Sequence, residues 1–363
     1  MSRVQRCFES LASAGFLRHH LSGNQLELLS HGRAYAEQLQ KQWLSLRPLA
    51  AHLSGISEIG STSPLEQRFS FARTTEFSSL IQRLQKDHPR KAKCPTVIKH
   101  KSNSSSFCLR GNPLFSVKSP ATILTTDFLV EPDRALEHFY NIQRESKIWW
   151  MRLSSNPSRI RIVPCDLPEE FDPKSYQAID LRSQAGEVTV EELSMVRLGG
   201  DDGPFRLPDG RTGESVQPTV IRSVIELETA TCALLLDGCD HERDAQSLLL
   251  NCALAPYQCG IACLLEESGL SGDLDDLCLH LKHVLNHAGL RLCQGKGFFA
   301  AKDNGHLADH FAESDMLGVP YTLVVNDQTL KNGLMKLRSR DTRLSETIHI
   351  SDVPDYLLNI FKK

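Results

Sequence analysis

The sequence lacks the features that define several large classes of protein. No run approaches the roughly 18 consecutive apolar residues of a membrane-spanning helix, so we expect no membrane association. The 11 cysteines are odd in number and include no C-x-x-C pair, which favours buried thiols in a reducing compartment over a disulfide framework or a zinc site. The net charge is −3, so any contact with nucleic acid must come from local basic patches.

Recognisable catalytic and cofactor motifs are also missing. The sequence contains no G-x-S-x-G and no P-loop, and the glycine-rich segment Gly199–Gly213 has the composition of a loop rather than of a nucleotide site. His306 and His310 have the i, i+4 spacing of a metal pair on a helix, but no third ligand stands at a matching spacing. We therefore predict no metal and no cofactor.

The composition is that of a globular protein, with 40% hydrophobic and 23% charged residues, and 363 residues suffice for two or three domains. Residues 1–20 hold Arg3, Arg6 and Arg18 against a single acid, Glu9, with serines between them. This pattern is compatible with a mitochondrial targeting segment. An ordinary amphipathic first helix is an equally good interpretation.

The last third of the chain carries the clearest pattern. Tyr321–Val325 predicts a buried strand, and turn signals follow at Asn326-Asp327 and Asn332-Gly333. Leu334–Asp341 then alternates, which places three cations roughly 7 Å apart on one face of a strand: Lys336, Arg338 and Arg340. These cations suit an anionic or polar partner, although a solvated sheet face explains them as well.

Upstream, the pattern predicts a strand at Ala121–Val130 and a helix from Pro132 to about Leu153, whose Trp149-Trp150 we assign to core packing. The segment His88–Lys101 is interpreted as a loop that contacts phosphates or, alternatively, as a solvated insert. Its candidate nucleic-acid residues are Arg90, Lys91, Lys93, Lys99 and Lys101.

Two parts of the last third carry a family resemblance. Gly318-Val319-Pro320, a strand and then Arg338-Ser339-Arg340-Asp341 resemble the anticodon-binding domain of class IIa aminoacyl-tRNA synthetases. The form TLKNGLMKLRSRDTRLSETIHIS, which begins at Thr329, is more similar to the accessory subunits of the mitochondrial DNA polymerase, synthetase relatives that no longer charge tRNA.

The resemblance implies an α/β (α+β) fold with two parts. A degenerate class II synthetase-like core with an antiparallel sheet is expected at residues 21–245, with a short basic insert around 57–112. A mixed α/β anticodon-binding-like domain is expected at residues 250–363. Vertebrate-type relatives carry a long dimerising insert where this chain has room for a short one, so the resemblance favours a heterodimer over a homodimer.

The resemblance also implies that ATP binding has been lost. Active class II synthetases have small glycines and an arginine in the region of Gln217–Asp237, where this chain has Glu226, Glu228 and Thr229. Carboxylates repel a polyphosphate. The second ATP-binding arginine of the fold is expected near Ala121–Val130, which contains none.

The implied function is that of a non-catalytic subunit. It would bind the catalytic subunit of the mitochondrial DNA polymerase and primer-template or double-stranded DNA in the mitochondrial matrix and nucleoid, and would raise processivity. The implied partner-binding residues are Leu330, Asn332, Gly333, Lys336, Arg338 and Arg340. An active glycyl- or prolyl-type tRNA synthetase and a stand-alone tRNA- or RNA-binding module remain the alternatives.

Overall fold

The structure is a computed structural model, and the residues it describes fall into two compact units. It describes residues 3–20, 24–46, 82, 85–86, 89–90, 92–104, 109, 116–117, 120–165, 173–197, 206–239, 247–264, 271–293 and 304–361. Unit 1 comprises Met1–Phe16, Leu29–Gln38 and Leu235–Lys363, and unit 2 comprises Leu17–Leu28 and Leu39–Leu234. Unit 1 therefore includes N-terminal segments together with the expected C-terminal domain.

The helices of the described residues differ widely in length. They are α1 (Arg3–Ser13), α2 (Ser30–Ser45), α3 (Ala135–Leu153), α4 (Leu227–Cys239), α5 (Ser271–His287), α6 (Asn304–Met316), α7 (Asp327–Asn332) and α8 (Val353–Phe361). Within the described part of the chain, no helix is long and apolar enough to span a membrane.

The strands form separate sheets in the two units. They are β1 (Leu17–His20), β2 (Gln25–Leu28), β3 (Thr96–Ser104), β4 (Ser116–Val117), β5 (Ala121–Val130), β6 (Ile160–Pro164), β7 (Pro173–Ser183), β8 (Gly186–Arg197), β9 (Leu207–Pro208), β10 (Ser215–Val216), β11 (Thr219–Glu226), β12 (Cys259–Leu264), β13 (Tyr321–Asn326), β14 (Leu334–Ser339) and β15 (Ser345–His349).

Unit 2 is built on a six-stranded antiparallel sheet in the order β3-β5-β11-β8-β7-β6. Its central strands β5 and β11 are buried along nearly their whole length, as β-branched runs covered on both faces should be. A 3-10 turn, Pro132–Arg134, leads into α3, which packs on this sheet with Phe139 and Trp150 fully buried. The expected strand, helix and core tryptophans are confirmed.

Unit 1 contains a four-stranded sheet in the order β12-β13-β14-β15. The pair β12–β13 is parallel, and the other two pairs are antiparallel. One face of this sheet packs with α5 and α8 around a core that includes Leu281, Leu323, Leu337 and Leu357. The mixed α/β expectation for this part of the chain is confirmed.

Two local predictions were wrong. The second half of the basic segment His88–Lys101 is not a loop, because Thr96–Lys101 belongs to β3, which pairs with β5 from Ala121 to Leu129 as an outer strand. Asn326-Asp327 is not a turn: the Asn326 side chain and Thr329 form a capping box that starts α7.

The cysteines that the structure describes are free thiols, and most of them are buried. Among the described side chains, no group of three or more histidines, cysteines and acids is arranged to hold a metal ion. His306 belongs to α6, but its side chain lies outside the described part of the chain.

Candidate functional site

The acidic residues at the junction of β11 and α4 have partners inside unit 2. Glu226 ends the buried strand, and its carboxylate accepts hydrogen bonds from the backbone N–H of Leu109 at 3.3 Å and from the Thr229 hydroxyl at 2.7 Å. The Glu228 carboxylate accepts from the backbone N–H of Thr122 at 2.7 Å. Both side chains are thus fixed by their own fold rather than directed at an open cleft.

This junction disfavours negative charge. Burial, followed by Glu228 and Glu226, raises the pKa of the neighbouring Cys232 thiol, because a thiolate there would be desolvated and next to two carboxylates. The same electrostatic environment opposes a bound polyphosphate. The hydrogen bonds described above for the two carboxylates come from neutral donors and hold both acids in place.

An arginine that sequence reasoning missed lies deeper in the sheet. Arg222 on β11 forms a two-point ion pair with Asp127 on β5, at 2.7 and 2.9 Å, and only 7% of its surface is exposed. His100 adds a third contact to the same carboxylate at 3.1 Å. Burial opposes ionisation of Asp127, yet the charge of Arg222 and the hydrogen bonds from His100 and Arg222 lower its pKa below the ordinary value.

The Arg222 guanidinium is therefore occupied by a carboxylate of its own sheet. The signal for this pair was present in the sequence, since a single acid in one buried strand and a single arginine in another need each other. The structure brings them into register as direct neighbours.

A second buried carboxylate joins three elements of unit 2. Glu191 on β8 accepts hydrogen bonds from Trp150 at 2.7 Å, from Ser146 at 3.0 Å and from Ser223 at 2.5 Å. These contacts connect α3, β8 and β11. The Trp150 indole is therefore a structural donor and not a base-stacking platform.

In unit 1, two of the three cations predicted on one face of the strand are buried and bonded within the unit. Arg338 forms a two-point ion pair with Asp315 at 2.8 Å for each contact, and its guanidinium lies 4.4 Å from the Phe311 ring. Arg340 is buried, and donates to the carbonyls of Gly318 at 2.7 Å and Leu250 at 2.9 Å. We expected Arg338 and Arg340 to face a partner, but both guanidinium groups lie inside unit 1. Asp315 and Phe311 of α6 cover Arg338, whereas the carbonyls of Gly318 and Leu250, outside that helix, hold Arg340.

The remaining cation lies on an open part of the same sheet. Lys336 is exposed and donates to the Thr347 hydroxyl at 2.7 Å. Leu334 lies next to it on the same face with 41% of its surface exposed, opposite His349 on β15. We call Leu334, Lys336, Thr347 and His349 the β14–β15 surface.

The other predicted partner-binding residues lead into this surface. Leu330 packs partly against the core, and the exposed Asn332 accepts from the Leu334 backbone N–H at 3.0 Å. Gly333 ends α7 with φ 71°, a conformation that other residues rarely adopt. A Cβ at this position would lie 2.5 Å from Nε2 of His349, so Gly333 also allows the close approach of β15.

The five basic candidates of unit 2 also include both exposed and buried side chains. Arg90 and Lys93 are exposed, Lys101 donates to Gln40 at 3.0 Å, and Lys91 lies outside the described residues. Lys99 is buried and donates to the carbonyls of Trp43 at 2.7 Å, Leu44 at 3.2 Å and Leu46 at the end of α2. We therefore remove Lys99 from the candidates for nucleic-acid contact.

Comparison with known proteins agrees with this architecture. The family described as "Anticodon binding domain" matches residues 258–360. Glycine–tRNA ligase of Thermococcus kodakarensis is 24% identical over 188 residues, covering 51% of this chain and 30% of the ligase. The fold and these matches define a class II synthetase-like protein with an anticodon-binding-like domain.

Two further relatives identify the family. The mitochondrial DNA polymerase subunit gamma-2 of Drosophila melanogaster is 69% identical over 366 aligned residues, with 100% of both chains covered. The subunit of the same name from Xenopus laevis is 28% identical over 234 residues, covering 59% of this chain and 48% of that protein. The chain belongs to the family of mitochondrial DNA polymerase subunit gamma-2.

Proposed function

We propose that this chain is a non-catalytic accessory subunit that binds the catalytic subunit of the mitochondrial DNA polymerase and raises its processivity on primer-template DNA. The observation that carries this proposal is the 69% identity over the whole chain to a polymerase gamma-2 subunit. The internally bonded Glu226 and Glu228 support the non-catalytic part, since the resemblance to class II synthetases implies glycines and an arginine for ATP in this region.

The β14–β15 surface together with Asn332 and Gly333 is the proposed docking site for the catalytic subunit. Lys336 and Leu334 supply an exposed cation beside an exposed apolar side chain, a combination that suits a protein partner with one acidic and one apolar group. Arg338 and Arg340 act from inside, by fixing β14 to neighbouring elements of unit 1. We propose one copy of this chain for each catalytic subunit.

The DNA-binding part of the proposal rests on Arg90 and Lys93, the exposed members of the basic segment. Cations delivered to a phosphate backbone raise affinity without sequence preference, which is what a processivity factor requires.

The names of the relatives support a mitochondrial location, and we propose the matrix nucleoid. In this scheme residues 1–20 direct import, residues 21–245 hold the degenerate core, most of which lies in unit 2, and residues 250–363 hold the docking domain in unit 1.

Two assays test the proposal on the full chain. Affinity purification from mitochondria is expected to recover the polymerase catalytic subunit, and the purified chain is expected to extend the product length of that polymerase on a primed template. ATP–pyrophosphate exchange is expected to stay at background with every amino acid.

Each alternative has its own outcome in these assays. Exchange activity with glycine or proline would establish an active synthetase, to which the ligase relatives give distant support. Recovery of tRNA without a polymerase would establish an RNA-binding module, which the anticodon-binding match favours.

A further inference from the structure

Helix α1 belongs to the segment that we propose directs import, and it is also built into unit 1. Leu11 is completely buried, Cys7 is buried, and Val4 and Phe8 on the same side of the helix are half-buried. The side facing away, which includes Arg6, is exposed. The helix is therefore amphipathic, with a covered apolar face and an open polar face.

Contacts between residues far apart in the chain hold α1 in place. The Cys7 thiol donates to the Cys239 carbonyl at 3.6 Å, and the Cys239 thiol donates to the Cys7 carbonyl at 3.8 Å. The Ser13 hydroxyl donates to the Met316 sulfur at 3.7 Å. Cys239 ends α4 and Met316 ends α6, and all four residues lie in unit 1. The N-terminal helix is thus bonded to parts of the chain that lie 232 and 303 positions later.

The segment that leaves α1 is fixed as well. Phe16 is completely buried, and the centroid of its ring lies 5.5 Å from that of the His31 ring. His31 donates through Nδ1 to the Ala14 carbonyl at 2.7 Å, and its ring meets the Tyr257 ring edge to face, with 5.4 Å between centroids. Residues 14–16 therefore connect α1 to α2 and, through His31, to the C-terminal part of unit 1.

This packing opposes removal of the segment after import. Cleavage at residue 20, where the predicted targeting segment ends, would take away Leu11 and Phe16 together with the partner of Cys239. Loss of one large buried side chain already destabilises a fold, because the surrounding structure fills the cavity only in part. A chain without residues 7–16 would in addition expose the apolar surfaces that now cover them.

We propose that α1 is an import signal that is not cleaved and that becomes a structural element of unit 1 after import. In the unfolded chain its basic amphipathic helix is available to a receptor for targeting segments, which are Arg-rich and poor in acids. In the folded chain the same apolar face is buried, so the signal is accessible only before unit 1 folds. This inference rests on the proposed function and adds that residues 7–16 belong to the mature subunit.

Peptide mapping of the chain from protease-treated mitochondria tests whether α1 is retained. Trypsin cleaves after Arg6 and Arg18, so residues 7–18 give a single peptide, CFESLASAGFLR, that is present only if this part of the chain remains. The reference peptide is HVLNHAGLR, residues 283–291, and isotope-labelled standards quantify both. We expect equal molar amounts of the two peptides, and a clear deficit of the first would overturn the proposal.

Leu11→Ser measures how far the fold depends on α1. The melting temperature of the purified full chain should fall by about 5 °C or more, because a completely buried leucine is lost. The matched control is Ala12→Ser, which introduces the same residue at the next, exposed position and should shift the melting temperature by about 2 °C or less. Equal melting temperatures of the two variants would overturn the structural role of α1, whereas failure of Leu11→Ser alone to fold supports it.

Arg6→Glu tests the signal itself, in the full chain and with isolated mitochondria. The substitution reverses an exposed charge of α1, so the imported fraction should fall several-fold while the melting temperature stays close to that of the wild type. Arg182→Glu reverses an exposed charge far from this segment and should be imported like the wild type. Equal import of the two variants would overturn the signalling role of α1.

The outcomes separate this inference from the proposed function. If the full chain is not found in mitochondria, the proposed function fails and the inference with it. If the chain is found there without residues 7–18, the proposed function stands and the inference alone is wrong.

Discussion

Unit 2 and the C-terminal sheet of unit 1 both contain charged residues in buried strands, but they use them differently. In unit 2 the acids Glu226, Glu228 and Asp127 are all bonded within the unit. In the C-terminal sheet Arg338 is equally internal, while Lys336, two residues earlier on the same face, is exposed. The charged residues of unit 2 named here therefore stabilise the fold, whereas the C-terminal sheet also has an exposed charged face.

The difference teaches that alternation in a strand identifies a face but not what covers it. Lys336 and Arg338 lie two residues apart on the same face of β14. Asp315 and Phe311 of α6 cover Arg338, whereas Lys336 is exposed. Charge in a sheet is therefore evidence of function only after its neighbours are known.

The largest expected effect comes from the ion pair in the framework region. Arg222→Ala leaves the buried Asp127 without its main partner, and should lower the free energy of unfolding by about 3–5 kcal/mol, measured by urea denaturation. The control Arg182→Ala removes an exposed arginine 3.6 Å from Glu187 and should cost about 1 kcal/mol or less. Equal effects of the two substitutions would contradict the framework assignment.

The same variant has a defined pH dependence. The pKa of Asp127 is lowered in the folded state, so its stabilising contribution is present above the unfolded pKa of about 3.9 and is lost as the pH falls through the folded pKa. In Arg222→Ala the unpaired carboxyl gains from protonation. The difference in unfolding free energy between wild type and variant should therefore narrow as the pH falls toward about 4, and a constant difference would oppose this linkage.

An intermediate effect is expected at the entrance to the β14–β15 surface. Gly333→Glu introduces a side chain at φ 71° and moves His349, which should lower stability by about 1–3 kcal/mol and weaken binding to the catalytic subunit in a surface plasmon resonance assay.

Gly213 gives a matched control for this substitution. Its φ is 75°, but no atom lies within 4 Å of the point that a Cβ would occupy, and it lies in unit 2, far in sequence from the β14–β15 surface. Gly213→Glu should share the backbone strain and keep the affinity. If both variants lose binding alike, the loss reflects strain and not docking.

The smallest effect separates the basic residues of unit 2. Lys99→Met removes the donor to the end of α2 and should lower stability by about 1 kcal/mol, without changing the affinity for duplex DNA.

Arg90→Gln with Lys93→Gln should leave the melting temperature unchanged, weaken DNA binding and flatten its salt dependence by roughly one unit for each phosphate that is no longer neutralised. A filter-binding series across salt concentrations measures the affinity for duplex DNA and its salt dependence.

Much of the fold followed from local patterns, while the partners of charged side chains did not. β-branched runs predicted β5 and β13, and the start signal at Pro132 predicted α3. The six-residue helix α7 escaped because such a short helix shows no apolar periodicity, although its Asn326 cap was visible.

The burial of Lys99 depends on carbonyls 53 to 56 positions away, which no local pattern contains. In the same way, the pairing of Arg222 with Asp127 requires the register of two strands 95 positions apart. Local sequence therefore could not distinguish the buried Lys99 from the exposed Arg90 and Lys93.

Glu191 has a consequence for the outer side of α3. Its single carboxylate bonds Ser146 and Trp150, one turn apart, and so sets the rotation of the helix about its own axis. A change at this buried position, far from any solvent, would turn Tyr140 and Ile148 toward new directions. Substitutions inside the β8 strand can thus change which side chains the outer face of α3 presents to solvent.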